Sequence, residues 1–131
     1  MSVRMSFLLV GVGGFIGALA RFLVSHGSTI MLGSRFPFGT LVVNVSGSFL
    51  LGLLYGLVAA RAGAAEHAEA LRLAVGVGFL GAFTTFSTFE LDTHVLLTDG
   101  SWRFAAANMV GSLMGGLLAL RAGMLVACAW V

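Results

Sequence analysis

The stretch Thr84-Thr85-Phe86-Ser87-Thr88-Phe89 interrupts an otherwise apolar block that runs from about residue 71 to residue 97. A block of this length can cross a bilayer, because a transmembrane helix takes about 20 mostly apolar residues. Glycines precede the threonines, ending with Gly81, and this order is typical of a span whose helix is broken or unwound. The stretch predicts a transmembrane helix with a break near residues 81–85, where freed carbonyls could coordinate a cation.

The rest of the chain has the same membrane-like composition. It has 131 residues, of which 59% are hydrophobic and 9% are charged, whereas soluble domains carry roughly 25% charged residues. Three more apolar blocks run from about residue 5 to 31, 40 to 60 and 104 to 126. They are too long for barrel strands, and their polar and apolar residues do not alternate as those of barrel strands do. We expect one transmembrane domain over residues 1–131, all-α, with four spans and a broken third helix, and the first block to be a span rather than a cleaved signal peptide.

Several classes of function find no support in the sequence. The seven basic residues are all arginines and are scattered, so no basic patch points to nucleic acid. The only cysteine, Cys128, excludes a multi-cysteine metal site. The glycines of residues 76–81 match a dinucleotide-binding pattern, but no strand precedes them. With isolated histidines and no nucleophile–base pair, we expect no enzyme.

The arginines give little information about orientation. If the N-terminus, the second loop and the C-terminus share a side, that side holds Arg4, Arg61, Arg72 and Arg121, against Arg21, Arg35 and Arg103 on the other. Orientation follows the excess of basic residues in short loops. This near balance favours a chain that inserts both ways and pairs as an antiparallel, dual-topology homodimer.

Small and polar residues recur at helical spacing inside the blocks. Gly13 and Gly17, Gly52 and Gly56, and Gly111 and Gly115 are each four apart, which allows close helix packing in lipid. Asn44 lies four residues before Ser48, and Asn108 four before Ser112. Singly, such groups most often bond their own or a neighbouring helix. Together with the positive edges of Phe86 and Phe89, they could line a path for a small dehydrated anion.

Four stretches resemble the Fluc, or CrcB, family of fluoride channels, in family order and over the whole length of the chain. They are residues 13–22 (GGFIGALARF), 38–49 (FGTLVVNVSGSF), 78–89 (GFLGAFTTFSTF) and the small-residue segment 108–116 (NMVGSLMGG). The third stretch is the most specific. Two positions depart from the family pattern: Asn108, where an aromatic residue is common, and Asp92, where glutamate is common.

The resemblance implies an antiparallel homodimer with two fluoride pores and a structural Na⁺ at its centre. It implies that the backbone carbonyls of Gly81 and Thr84 hold the Na⁺ and that Arg21 lies in an anion vestibule. The implied pore residues are Asn44, Phe86, Phe89, Ser87, Thr88, Asn108 and Ser112.

The function that the resemblance implies is passive export of F⁻ across the bacterial inner membrane, which relieves fluoride toxicity. The implied partners are a second copy of the chain, fluoride and lipid, and no nucleic acid. The alternative is a small dual-topology exporter of drugs or other cations, which would need a carboxylate in the first span; residues 5–31 contain none. A membrane subunit that transports nothing would not need so dense a polar cluster.

Overall fold

The computed structural model describes residues 1–60 and 65–130. Four helical spans are long and apolar enough to cross a membrane, and the described residues contain no strand. The first is α1, Val3–Leu32, the second is α2, Phe38–Ala60, and the last is α6, Trp102–Ala129. Each extends the predicted span by one to three residues at its ends or matches it. Arg61, which entered the charge comparison, lies outside the described residues.

The ends of α1 follow from local chemistry. The Ser2 side chain accepts a hydrogen bond from the Met5 N–H at 3.4 Å and so caps the N-terminus. Gly33 ends the helix with a φ of 84°, a conformation that glycine adopts without steric strain. Pro37 directly precedes α2, where the absence of a proline N–H removes no helical hydrogen bond.

The third span is the irregular one. It starts as α3, Ala65–Leu71, continues as a π-helical segment, Arg72–Leu80, and closes with one short turn, α4, Gly81–Phe83. Thr84 and Thr85 are then extended, with ψ values of 159° and 123°. The helix resumes as α5, Phe86–Thr98. The break therefore lies within the predicted residues 81–85, whereas the π-helical segment had no counterpart in the prediction.

Glycines set the closest helix contacts. A Cβ at Gly17 would lie 2.2 Å from the Phe79 carbonyl oxygen, so α1 packs directly on the backbone of the π-helical segment. A Cβ at Gly52 would lie 2.0 Å from the Leu120 carbonyl oxygen, where α2 packs on α6. Gly111 makes no such backbone contact, its nearest neighbour being the side chain of Leu41 at 3.5 Å. The four-residue spacing thus marks close contacts in the first two spans but not at Gly111.

Large apolar side chains cover the outside of the bundle. Phe7, Ile30, Leu118 and Trp130 are all more than two-thirds exposed, and most large residues of α1 and α6 are exposed as well. The buried core of the described residues is small and includes Val43, Leu80 and Phe83. Water would penalise so much exposed apolar surface, whereas lipid does not.

Candidate functional site

A groove of about 290 Å³ opens beside the break in the third span. Residues of α2, the π-helical segment, the break, α5 and α6 line it, and none of these lining residues carries a charged side chain. Its polar side chains belong to Asn44, Ser48, Thr84, Thr85 and Ser112, and its aromatic ones to Phe86 and Phe89. The structure thus brings together six of the predicted site residues, which are Asn44, Gly81, Thr84, Phe86, Phe89 and Ser112.

Asn44 holds the break in place. Its Nδ2 donates to the Thr85 carbonyl at 2.9 Å, and its Oδ1 accepts from the Thr85 N–H at 2.8 Å. In an uninterrupted α-helix, that N–H would bond the carbonyl four residues earlier, which is that of Gly81. The amide of Asn44 therefore replaces the helical hydrogen bond and frees the Gly81 carbonyl.

The Thr84 carbonyl has a partner from the first span. The half-buried Arg21 donates to it from a guanidinium nitrogen at 3.4 Å, a long hydrogen bond. The Thr84 hydroxyl bonds back to the Leu80 carbonyl at 3.0 Å, and its methyl group packs on Gly47, where an added Cβ would lie 2.3 Å away. Arg21, predicted in a vestibule, thus contacts the break itself, a contact that no local sequence pattern indicates.

Phe86 and Phe89 face the groove with very different exposure. Their ring centroids are 5.6 Å apart and the ring planes are inclined by 42°. Phe89 is 7% exposed, but Phe86 is 66% exposed. One ring is therefore fixed by packing within the chain, while the other stands at the open side of the groove.

Ser112 and Asn108 differ in where they lie on α6. Ser112 lines the groove, and its buried hydroxyl has no hydrogen-bond partner among the described residues. Asn108 is fully buried and lies outside the groove lining. Its Nδ2 donates to the Thr93 hydroxyl at 2.9 Å, which in turn donates to the Phe89 carbonyl at 2.8 Å. Asn108 thus supports the backbone behind Phe89.

Ser87 and Thr88 are exposed and also lie outside the groove lining. The Thr85 hydroxyl accepts from the Thr88 N–H at 3.2 Å and donates to the Thr88 hydroxyl at 3.0 Å. These bonds cap the first turn of α5, so the structure gives this part of the Thr/Ser stretch a local role. Ser48 likewise bonds its own helix, at the Asn44 carbonyl, 2.7 Å away.

Thr40 was not among the predicted site residues. Its hydroxyl donates to Asp92 Oδ2 at 2.5 Å, and the residue is 7% exposed. Both side chains line a second cavity of about 360 Å³. Thr40, Asn44 and Ser48 are spaced four apart on α2, a pattern that could have indicated a continuous polar face.

Backbone oxygens at the break, rather than side chains, are the candidate ligands for a cation. Residues 1–60 and 65–130 contain no group of three or more His, Cys, Asp or Glu side chains placed to hold a metal. The Gly81 carbonyl has lost its helical donor, and Gly81 is exposed. The Thr84 carbonyl keeps one lone pair beside its bond to Arg21. Neutral oxygens of this kind suit a hard cation.

The fold and the site define a multi-pass helical membrane protein with a neutral polar groove between its spans. Residues 8–124 match the family described as CrcB-like protein, Camphor Resistance (CrcB). The chain belongs to this family, as the sequence resemblance predicted.

Named relatives agree with this assignment. A fluoride-specific ion channel FluC from Magnetococcus marinus is 47% identical over 93% of this chain and 97% of its own length. One from Shewanella sp. strain ANA-3 is 49% identical over 82% of this chain and 84% of its own. One from Solibacter usitatus is 43% identical over 94% and 98%. These relatives are named as ion channels, in agreement with the prediction that this chain is not an enzyme.

Proposed function

We propose that this chain is a fluoride-selective channel that lets F⁻ leave the bacterial cytoplasm passively across the inner membrane. Support comes from the family and from relatives named as fluoride-specific channels. Neutral HF enters a cell from an acidic medium and dissociates inside, so a passive pore suffices to release the trapped anion.

The observation that carries the proposal is the chemistry of the groove. A buried Ser112 hydroxyl, with no hydrogen-bond partner in the described part of the chain, faces the same space as the Asn44 amide and the exposed Phe86 ring. Asn44 uses one of its two amide hydrogens on Thr85, which leaves the other as a donor. With no carboxylate in the lining, these neutral donors favour an anion over a cation.

The energetics require donors along the whole path. Moving a small ion from water into a medium of low dielectric costs on the order of 20 kcal/mol in an idealised calculation. A conducting pore must replace hydration without binding the ion too tightly. Hydroxyls, an amide and positive ring edges do this at modest strength, whereas a fixed arginine in the groove would hold the anion.

The open side of the groove supports an antiparallel homodimer. Phe86 is 66% exposed and Gly81 is exposed, so one chain alone leaves both residues uncovered. A second, inverted copy would close the groove of each chain and give two pores. It would also bring the Gly81 and Thr84 carbonyls of both copies to the dimer centre.

These carbonyls would hold the structural Na⁺ that we propose at the dimer centre. When bound, the ion would supply a fixed positive charge between the two breaks. Asn44 would keep the Gly81 carbonyl available, since it occupies the Thr85 N–H. Arg21 would share the Thr84 carbonyl with the ion and limit how strongly that oxygen binds.

Fluoride efflux from liposomes, followed with a fluoride electrode, tests the channel. We expect the variants Phe86→Ile and Asn44→Ala to lose most F⁻ flux, because each removes a group that replaces hydration. Phe7→Ile, on the exposed outer face of α1, is the matched control and should conduct normally. Normal F⁻ flux in both groove variants, or equal flux of chloride in the unmodified protein, would rule out the proposal.

The exporter alternative gains no support from the structure. Proton-coupled exporters of this size need a titratable carboxylate in the first span, and α1 contains neither aspartate nor glutamate.

A further inference from the structure

A second site lies at the end of the spans. A cavity of about 550 Å³ is lined by Arg35, Gly100, Ser101, Trp102, Arg103 and Phe104, and we call it the arginine pocket. It forms where the loop between α1 and α2 meets the turn between α5 and α6. It shares no lining residue with the groove beside the break. Its chemistry therefore needs an explanation separate from conduction.

Aromatic contacts hold Arg35 in this pocket. Its guanidinium carbon lies 5.4 Å from the centroid of the Phe104 ring, a cation–π contact. Phe104 meets Phe36 edge-on, with centroids 5.9 Å apart, and Phe36 packs on Phe38 at 4.8 Å. This small cluster spans the loop, α2 and α6. The positive charge is thus positioned by ring faces rather than by a carboxylate.

The pocket is positively charged, and neither of its arginines forms an ion pair within the described residues. In the described part of the chain the one ion pair joins Arg72 to Glu69, far along the sequence from both pocket arginines. No acidic residue lines the pocket. The Ser101 side chain makes no capping bond to α6, so its hydroxyl remains available to a ligand. The site therefore combines two guanidinium groups and a hydroxyl. The carboxylates beside it, Asp99 in the adjoining turn and Asp92 in the second cavity that Arg35 also lines, form no ion pair with either arginine.

The exposure of Trp102 indicates that the pocket lies near the lipid headgroups. Trp102 is 67% exposed at the first position of α6. Tryptophan is enriched where spans meet the lipid headgroups, because its ring is apolar and its N–H is polar. A ligand held here meets guanidinium groups and aromatic side chains within one pocket. Free phosphate would use the arginines alone, whereas a phospholipid would use both.

We propose that the arginine pocket binds the headgroup of an anionic phospholipid. Guanidinium groups pair with phosphate oxygens through two parallel hydrogen bonds. Basic pockets between transmembrane helices suit anionic headgroups for this reason. Trp102 and Phe104 then pack against the glycerol and the upper part of the acyl chains. The bound lipid neutralises both arginines at the end of the spans.

The two tryptophans of the chain allow a direct test. In a Trp130→Phe background, Trp102 is the sole tryptophan, and brominated lipids quench its fluorescence on contact. The full-length protein is reconstituted with brominated phosphatidylglycerol or with brominated phosphatidylcholine. We expect half-maximal quenching to occur at a mole fraction of brominated phosphatidylglycerol that is on the order of tenfold lower than that of brominated phosphatidylcholine.

Two double variants distinguish a specific lipid site from general attraction between basic residues and anionic lipid. The double variant Arg35→Gln/Arg103→Gln should lose the preference, whereas Arg4→Gln/Arg121→Gln removes equal charge elsewhere and should keep it. Only variants that elute from a size-exclusion column at the same volume as the unmodified protein are compared. Equal quenching by both lipids in the unmodified pocket would overturn the proposal, as would equal loss of preference in both double variants. If inorganic phosphate abolishes the preference at matched ionic strength, the site binds soluble phosphate and the lipid assignment is wrong.

Discussion

Asn44 shows how one side chain can fix the backbone and still keep a donor for the role that we propose. Both ends of its amide bond the Thr85 backbone, and one amide hydrogen remains for the groove. The sequence showed an amide inside a span, which invites either interpretation. It could not show the partner, because Thr85 lies 41 residues away along the chain.

Asn108 illustrates the opposite case. Its spacing from Ser112 indicated a shared helix face, and the structure buries it completely against Thr93. Four-residue spacing places two side chains on neighbouring faces of a helix and does not fix which neighbour each one meets. Its Oδ1 has no partner among the described residues, so the hydrogen bond to Thr93 is the only one that the Asn108 amide makes there.

We predict that Thr93→Val lowers the free energy of unfolding by about 1–3 kcal/mol, because it leaves both ends of the buried Asn108 amide unpaired. Chemical unfolding in detergent measures the change. The control is Thr98→Val on the same helix, whose exposed hydroxyl bonds only the Val95 carbonyl at 2.9 Å; we expect a change within about 0.5 kcal/mol.

The double variant Thr93→Val/Asn108→Leu sharpens this prediction. It removes both partners, so its loss should be smaller than the sum of the two single losses. Simple additivity of the two single variants would contradict a hydrogen bond between them.

At the scale of elements, the ends of the spans were predictable and their internal geometry was not. Apolar runs fixed α1, α2 and α6 to within a few residues. Gly81 followed by two threonines indicated the break. The π-helical segment has no pattern of its own in the sequence, and in the structure its backbone packs directly against α1. π-Helical turns are frequent at functional sites, and Gly76 and Leu80 of this segment line the groove.

We predict that Gly13→Ala destabilises the protein by about 1–3 kcal/mol, because overpacking forces the backbones apart. A Cβ at Gly13 would lie 2.1 Å from the Ala74 carbonyl oxygen, within the π-helical segment. Thermal unfolding in detergent, with F⁻ efflux as a second readout, checks this. Gly11→Ala, two residues earlier, is the matched control because its Cβ would meet nothing within 4 Å.

The change in the free energy of unfolding should differ between Gly11→Ala and Gly13→Ala in sign as well as in size. Alanine favours a helix over glycine by up to about 1 kcal/mol, so Gly11→Ala should be neutral or stabilising. Equal destabilisation of both variants would show that the loss comes from the helix itself and not from its contact with the π-helical segment.

At the scale of the whole molecule, composition alone gave the number of spans, but the arrangement of two copies depends on orientation. The arginines are nearly balanced between the two ends, with Arg4, Arg61, Arg72 and Arg121 assigned to one side and Arg21, Arg35 and Arg103 to the other. Basic residues near span ends retain the segment that carries them in the cytoplasm. A balanced chain should therefore insert in both orientations, as the proposed antiparallel dimer requires.

Cys128 reports this orientation without any added tag. It is the only cysteine, it is exposed, and it lies near the C-terminal end of α6. We predict that a membrane-impermeant maleimide labels about half of the Cys128 thiols in intact spheroplasts, since balanced charge gives both orientations. Two added arginines at one end, Glu66→Arg/His67→Arg, should shift the labelled fraction of Cys128 far from one half. Two at the other end, Ser34→Arg/Thr98→Arg, should shift that fraction in the opposite direction.

Function should follow orientation in the same variants, because an antiparallel dimer needs one chain of each kind. Either charge variant expressed alone should lose most F⁻ efflux, and expression of the two together should restore it. Full efflux from one variant that labels in a single orientation would show that parallel copies conduct. In that case the exposed Phe86 ring and the Gly81 carbonyl would have to be covered by something other than an inverted copy.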